Sequence, residues 1–338
     1  MHSNRSAGRT AGRLGAAVAA CVALLSAVGC SANEGTGVRV AGGAPDAQAS
    51  AAVAAKAKGG SKDGRGNASN ARPAPSMPEP AVLAQARVNL ADGDTVGVGM
   101  PISVTFSRPV PAAERKAVES WLRVQTSSGT TGAWSWVKDR NLEEGQRVDF
   151  RPGTTYWQPG TRITLHRGSG GVSHFTIGRS LVATVDTKTD MMTVDTGGKT
   201  NRIPITAGKP GLDTWKGAMV VMDKQPKVFM DSRTVGMAPN DTYHDYYYWA
   251  LHLTTSGTYV HQNPHADTAA GHSNVTHGCV GLATSTAEGF YDQVMVGDVI
   301  KVTGSDKGTV APGNGYGDWN LTWKQWLDHS AAGATTTA

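Results

Sequence analysis

Cysteine is scarce in this chain of 338 residues, which contains only Cys21, Cys30 and Cys279. Cys21 lies inside an apolar N-terminal segment and Cys30 follows that segment, so Cys279 stands alone in the rest of the chain. Exported proteins normally use cysteines in pairs, as disulfides. Cys279 could simply be a small buried hydrophobic residue. The Thr-His-Gly run that begins at Thr276 instead favours a reactive thiol.

Charge is also sparse, at 17% of residues, and the formal net charge is only +5. Much of the positive charge lies in the N-terminal part of the chain, in Arg5, Arg9, Arg13, Lys56, Lys58, Lys62, Arg65 and Arg72. This distribution argues against a nucleic-acid groove and leaves solubility, or attraction to an anionic surface, as its role. Hydrophobic residues make up 39% of the chain, enough for a core, and the length indicates two or three domains.

No long apolar run marks the N-terminus, where residues 14–28 are too few for a membrane span. Arginines precede this segment and Gly29-Cys30 follows it, which is typical of a secretory signal that ends in a lipobox. We therefore expect residues 1–30 to be a signal peptide, with Cys30 lipidated and the mature protein anchored on the outer face of the membrane. Ala27 stands where this pattern prefers Leu, so an ordinary signal peptide cut elsewhere is the alternative.

Composition divides the remaining chain into four parts. Residues 31–80 nearly lack bulky apolar side chains, which predicts a disordered tether with a semi-rigid Pro-rich end. Residues 81–178 alternate apolar and polar residues between Gly, Pro and Asp turns, which indicates a small β-sandwich. Residues 179–304 form a second β-rich block with a helix from Thr284 to Val294. Residues 305–338 form a tail whose tryptophans suit a helix that packs back on the body.

The residues that can carry chemistry lie between positions 257 and 282. A thiol attacks carbonyl groups as the thiolate, and at its usual pKa of about 8.5 it needs a neighbouring base to take its proton. His261 lies on a strand-like segment eighteen residues before Cys279, so a returning loop can bring the two together. Gly278 permits a tight turn that directs backbone N–H groups at one point beside the sulfur, as an oxyanion hole requires.

A zinc site is the main alternative at this place. Several histidines crowd the region, namely His252, His265, His272 and His277, and Asp241, Asp245 and Asp267 could add a carboxylate. The chain contains no His-Glu-x-x-His motif, and one cysteine cannot supply a sulfur-rich structural site. We therefore predict no metal, and interpret His265 and His272 as loop residues.

The run from Thr276 to Cys279, preceded at this distance by a Val-His pair, resembles the signature of the YkuD-type L,D-transpeptidase catalytic domain. The resemblance covers residues 179 to the C-terminus, and the preceding sandwich is similar to the immunoglobulin-like module of lipoprotein members. Further matching segments are Met230-Asp231-Ser232, which resembles the start of the active-site flap, and Trp249-Ala250, Ser256-Gly257, Phe290-Tyr291-Asp292, Gly297-Asp298 and Gly317-Asp318-Trp319-Asn320. The expected fold is therefore mainly β: an immunoglobulin-like sandwich followed by a β-rich catalytic domain with a short helix after the cysteine.

The resemblance implies an acyltransferase of peptidoglycan stem peptides that uses no cofactor. Cys279 would attack the third residue of a tetrapeptide donor, release D-Ala, and pass the acyl group to the side-chain amine of a second stem as a 3→3 cross-link. His261 would move the protons, oriented by the backbone carbonyl of Gln262, and N–H groups around His277 and Gly278 would stabilise the oxyanion. By analogy, the substrate-lining residues are Met230, Tyr243, Ser256, Gly257 and Gly281.

Family resemblance also makes carbapenems the expected inhibitors. Two residues depart from the pattern: Gln262 stands where relatives often have Ser, and Gly281 where they often have Asn or Arg that contacts substrate. The acceptor remains open, because water would make the enzyme an L,D-carboxypeptidase and a wall protein would make it an attachment enzyme. A non-catalytic lipoprotein that only holds wall peptide is the alternative from another class.

Overall fold

The structure is a computed structural model that describes residues 75–235 and 242–337. The predicted signal peptide, the lipidation site Cys30 and nearly all of the predicted tether lie outside the described residues, as does Asp241. Strands dominate the described residues, and the mainly β fold predicted from the sequence is confirmed. Among these residues, no helix is both long and apolar enough to cross a membrane.

The first domain is a sandwich of two sheets. One sheet has the order β1-β3-β6-β5-β18 and the other the order β2-β8-β7-β4. The elements are β1 Arg87–Val88, β2 Thr95–Val96, β3 Ile102–Thr105, α1 Ala112–Trp121, β4 Leu122–Thr126, β5 Thr131–Trp136, β6 Arg147–Pro152, β7 Arg162–Arg167 and β8 Val172–Ile177, with β18 Thr335–Thr336. Alternate residues such as Ile163 and Leu165 face inward, so the apolar residues that recur at every second position form the core between the two sheets.

The second domain is built on a nine-stranded sheet with the order β12-β17-β9-β10-β11-β16-β15-β14-β13. Its elements are β9 Val182–Asp186, β10 Met191–Asp195, β11 Thr200–Thr206, β12 Gly217–Val220, β13 Asp223–Asp231, β14 His244–His252, β15 Tyr259–Gln262, α2 Ala266–Ala269, β16 Val280–Leu282, α3 Thr284–Gln293 and β17 Val299–Thr303. The β10–β11 hairpin turns at the predicted Asp195-Thr-Gly-Gly198 segment. Helix α3 occupies the span predicted after the cysteine, with Phe290 and Val294 buried.

The tail joins the two domains. Helix α4, Trp323–Asp328, begins with a capping box in which Thr322 and Gln325 satisfy each other's backbone N–H groups. Trp326 is fully buried against the sandwich and donates from Nε1 to the Ala133 carbonyl at 3.0 Å. Strand β18 then pairs with β5. The predicted tail helix therefore packs on the body, specifically on the first domain.

Candidate active site

Strands β14, β15 and β16 turn alternate residues to opposite faces of the sheet. Leu251, Val260 and Val280 are cross-strand neighbours and all three are fully buried in the core. Because side chains alternate along a strand, His261 faces the other way, where it lines a cavity of about 670 Å³, called here the main cavity. Cys279 directly precedes β16 and lines the same cavity.

The turn before Cys279 depends on glycine. Gly278 has φ of +117°, a conformation that favours glycine because it has no Cβ. Thr276 closes the turn: its hydroxyl donates to the Cys279 carbonyl at 2.6 Å and accepts from the Gly278 N–H at 3.2 Å. The hydrogen bonds within the Thr-His-Gly-Cys run thus fix the backbone conformation at Cys279.

The Cys279 thiol is 6% exposed. Its Sγ–H donates to the backbone carbonyl of Gly257 at 3.7 Å, and the backbone N–H of Tyr259 also bonds to the sulfur. Burial raises the pKa of Cys279 to about 11, while the Tyr259 N–H and the positive charge of Lys307 act in the opposite direction. The sulfur is therefore a protonated thiol at neutral pH in the resting enzyme.

His261 is held in one orientation by two contacts. Its Nδ1–H donates to the backbone carbonyl of Gln262 at 2.6 Å, and the Tyr247 ring meets the imidazole edge-on at a centroid distance of 4.7 Å. Burial lowers the pKa of His261 to about 4, although the hydrogen bond to Gln262 opposes this shift. The imidazole is therefore neutral, and since Nδ1 carries the proton, Nε2 is the atom that can accept one.

Together the two pKa values define the resting state of the pair. The thiol pKa of about 11 lies far above the imidazole pKa of about 4. At neutral pH each of these values taken by itself favours the neutral form of its group.

One wall of the main cavity is aromatic. It is formed by the paired strands β13 and β14 and the residues next to them, called here the flap; residues 236–241, between the two strands in the sequence, lie outside the described residues. The flap contributes Met230, Tyr243, Asp245, Tyr246, Tyr247, Tyr248 and Trp249. Besides His261 and Cys279, the remaining lining residues are Gln262, Asn263, Pro264, His265, Val275, Thr276, His277 and Thr284.

The predicted substrate-lining residues separate into two groups. Met230 and Tyr243 line the main cavity and also a second cavity of about 240 Å³ beside it. Gly257 lines only the second cavity. Ser256 lines neither, and its backbone N–H instead donates to Asn314 Oδ1 at 2.9 Å, which fixes the turn before β15.

Gly281 is also not placed on a cavity wall. It pairs with His261 across the β15–β16 ladder and is buried. A Cβ added there would lie 2.8 Å from Thr206 Cγ2 and 3.1 Å from Asn263 Cβ. The glycine therefore allows the strands to pack closely. Its surroundings support this packing role and do not support a contact with substrate.

The residues predicted around the oxyanion have partners of their own. The Gly278 N–H donates to Thr276 Oγ1 at 3.2 Å. His277 lines the main cavity, with its ring 5.2 Å from that of Tyr243 and its Nε2 3.5 Å from Lys209 Nζ. Gln262 keeps the predicted backbone role, and its side-chain Nε2 additionally donates to Thr284 Oγ1 at 3.0 Å.

Sequence reasoning missed several residues of the site. Tyr247, which contacts the ring of His261, belongs to an uninterrupted aromatic run from Tyr246 to Trp249 that was visible in the sequence. His265, interpreted as an ordinary loop residue, lines the main cavity. A pair formed by Asp223 and His252 on the flap was missed as well, and it had no signal because its members are 29 positions apart.

Histidine and acidic side chains do not converge into a metal site in the part of the chain that the structure describes. Within residues 75–235 and 242–337, no group of three or more His, Cys, Asp or Glu side chains is placed to hold a metal ion. The two closest acid–histidine contacts there are isolated pairs, His252 with Asp223 at 2.9 Å and His174 with Asp92 at 3.1 Å.

Known families match both domains. The profile of the bacterial Ig domain matches residues 45–173, and that of the L,D-transpeptidase catalytic domain matches residues 180–302. L,D-transpeptidase 1 of Mycobacterium tuberculosis is 36% identical over 237 residues, which cover 68% of this chain and 88% of the relative. The chain belongs to the L,D-transpeptidase family. Its predicted order, an Ig-like domain followed by the catalytic domain, is confirmed, while lipidation stays a prediction.

Other L,D-transpeptidases agree with this assignment. L,D-transpeptidase 2 of Mycobacterium tuberculosis is 34% identical over 263 residues, 73% of this chain, and the aligned part spans only 62% of that relative's length. An L,D-transpeptidase solved in complex with imipenem superposes with a TM-score of 0.58 and is 35% identical, covering 64% of this chain and 97% of the solved one. Residues 180–302 of this chain therefore form an L,D-transpeptidase catalytic domain, which belongs to a family of acyltransferases.

Proposed function

We propose that this L,D-transpeptidase forms 3→3 cross-links between peptidoglycan stem peptides through a thioester on Cys279. The single observation that carries the proposal is that one cavity holds a buried thiol together with an imidazole that keeps its Nδ1–H on the Gln262 carbonyl. This tautomer leaves Nε2 to take the thiol proton. The predicted nucleophile and base are supported by this arrangement.

Acylation begins when the donor carbonyl approaches the sulfur. The thiol proton moves to His261 Nε2 while Sγ bonds to the carbonyl carbon, so charge passes to the carbonyl oxygen without a long-lived thiolate. Because the Gly278 N–H is engaged by Thr276, we assign the Cys279 N–H as the backbone donor that stabilises this oxyanion. Collapse of the intermediate expels the terminal D-Ala, whose nitrogen takes the proton from His261.

Transfer reverses these events. An amine of the acceptor stem attacks the thioester, the new C–N bond replaces the C–S bond, and the sulfur recovers a proton through His261. Attack by water would give a carboxypeptidase, and attack by a protein amine would attach a wall protein. Burial of Cys279 at 6% exposure favours an amine delivered along a cavity over bulk water.

Inhibition and location complete the proposal. A relative has been solved in complex with imipenem, and a strained β-lactam carbonyl presents the same electrophile as the stem peptide. We infer that carbapenems acylate Cys279 here as well. We also propose that the chain is exported and anchored at the membrane through Cys30, facing the cell wall, since the N-terminal pattern is typical of a lipoprotein signal.

The decisive experiment is mass spectrometry of the purified protein with a tetrapeptide donor. We expect an acyl adduct on the peptide that contains Cys279, and a 3→3 product when a second stem is added. Cys279→Ala should lose both. Substantial turnover by that variant would overturn the covalent mechanism, whereas an adduct that yields only hydrolysis product would make the enzyme a carboxypeptidase.

A further inference from the structure

An aspartate–histidine pair that the mechanism does not use lies on the flap. The His252 Nδ1–H donates to Asp223 Oδ2 at 2.9 Å. The His252 ring stacks on the Tyr259 ring with a centroid distance of 4.3 Å and an interplanar angle of 6°. The imidazole is therefore fixed on one nitrogen by a carboxylate and on one face by an aromatic ring. Such an arrangement leaves Nε2 available as a proton acceptor.

Sheet register places this pair close to the nucleophile. Asp223 pairs with His252 across β13–β14, and His252 pairs with Tyr259 across β14–β15. His261, two residues after Tyr259, shares its face of the sheet because side chains alternate. The Tyr259 backbone N–H bonds to the Cys279 sulfur. Asp223, His252 and Tyr259 thus form a row that ends at the reacting thiol.

The second cavity places His252 beside the backbone group that holds the thiol proton. His252, Tyr259 and Gly257 all line it. The Gly257 carbonyl is the group that accepts the Cys279 Sγ–H. His261 lines the main cavity and not the second one. Of the two cavities, Cys279 lines only the main one, and the Gly257 backbone links its thiol to the cavity that holds His252.

An acceptor amine that enters as an ammonium cation loses two protons in the transfer half-reaction, one to the sulfur and one to another acceptor. A primary alkyl amine such as that of a lysine side chain has a pKa of about 10.4, so the acceptor enters as an ammonium cation that cannot attack. His261 Nε2 is committed to the proton that the departing sulfur must recover. A separate base beside the thioester would convert the acceptor to its nucleophilic form.

We propose that His252, positioned by Asp223, deprotonates the acceptor amine of the transfer step; this inference rests on the proposed function. The ammonium proton passes to His252 Nε2, and the freed nitrogen lone pair forms the C–N bond to the thioester carbonyl. Collapse breaks the C–S bond, the second proton on that nitrogen passes through His261 to the sulfur, and His252 releases its proton to solvent. The negative charge of Asp223 stabilises the imidazolium in between.

The test compares two nucleophiles on acyl-enzyme already formed with the donor. One is an acceptor stem with a primary alkyl amine, and the other is methoxyamine, which is unprotonated at neutral pH and needs no base. In His252→Gln, transfer to the alkyl amine should fall roughly 10²-fold, the low end of general base catalysis, while transfer to methoxyamine stays near the wild-type rate. Asp223→Asn, at a half-exposed position, should give a smaller fall with the same selectivity.

A matched control is available in the sandwich domain, where His174 and Asp92 form a similar pair that is largely exposed. His174→Gln should leave both transfers unchanged. If His252→Gln slowed transfer to both nucleophiles equally, His252 would have only a structural role and the inference would be overturned. Transfer to the alkyl amine at the wild-type rate in that variant would overturn it as well. Failure of the proposed function is distinct, since the wild-type protein would then form no adduct on Cys279.

Discussion

The Nδ1–H of His261 donates to the backbone carbonyl of the next residue, Gln262, at 2.6 Å. A backbone carbonyl is supplied by any residue type, so the Gln side chain at position 262 is not what selects the tautomer of His261. The Gln side chain makes a separate contact, with Thr284. The orientation of His261 therefore does not depend on which side chain residue 262 carries.

Substitution of His261 and of Gln262 should have very different effects on the rate of acylation. His261→Ala should slow carbapenem acylation of Cys279 by roughly 10²–10⁴-fold, because proton transfer by a positioned side chain contributes that much. Gln262→Ser should stay within a few-fold of wild type, since it retains the carbonyl. Stopped-flow acylation rates measure both. If His261→Ala acylated as fast as wild type, the base assignment would fail and His277 would be tested next.

The pH dependence follows from the neutral resting pair. Below a pH of about 4 the imidazole of His261 becomes protonated and can no longer accept the thiol proton, so carbapenem acylation should be level across neutral pH and fall in that acidic range. Iodoacetamide reacts with thiolate, so alkylation should keep rising with pH towards about 11. Rates of both reactions against pH are the measurement. An alkylation rate already at its plateau at neutral pH would indicate a preformed ion pair.

Gly281 offers a test of strand packing. Gly281→Ala should lower the free energy of unfolding by about 1–3 kcal/mol, since the added methyl group would meet Thr206 and Asn263. Gly289 is the matched control: it lies within helix α3 with nothing within 4 Å of an added Cβ. Gly289→Ala should stabilise by about 0.5–1 kcal/mol. Urea unfolding gives both values, and an unperturbed Gly281→Ala midpoint would contradict the packing argument.

Arg151 is the second stability test, because it links β6 to the tail. Its guanidinium is 4.8 Å from the Trp319 ring and 4.6 Å from the Trp326 ring, and it donates to the Leu321 carbonyl at 2.9 Å. Arg151→Met keeps the apolar stem but leaves that carbonyl without its donor, which should cost about 3 kcal/mol.

The control for Arg151 is a cation of the same region that lies at the surface. Lys324 forms an exposed pair with Asp328 one helical turn away, and Lys324→Met should change stability by at most about 0.5 kcal/mol. Equal urea midpoints for the two variants would show that the buried guanidinium contributes no more than a surface charge.

The sequence predicted what local pattern and a short motif determine. Alternation indicated the β-sandwich and several of the strands, a turn signal identified the β10–β11 hairpin, and the Thr-His-Gly-Cys run pointed to the candidate site. Contacts between distant residues had no such signal. The His252–Asp223 pair depends on the register of two long strands, and the burial of Gly281 depends on side chains from β11 and the loop after β15. Register and close packing arise from the assembled sheet, so neither could be read from adjacent residues.

Strand β18 and Trp326 belong to the C-terminal tail but complete the fold of the N-terminal domain. Domains generally fold from the N-terminal end as the chain is made. Here the outer strand of the first domain is Thr335–Thr336, and the indole that covers Ala133 is residue 326. The sandwich stays unfinished, with an open sheet edge beside β5, until the whole catalytic domain has been synthesised. Completion of the N-terminal domain therefore requires the C-terminal tail, and a chain truncated after β17 would lack part of the domain that was made first.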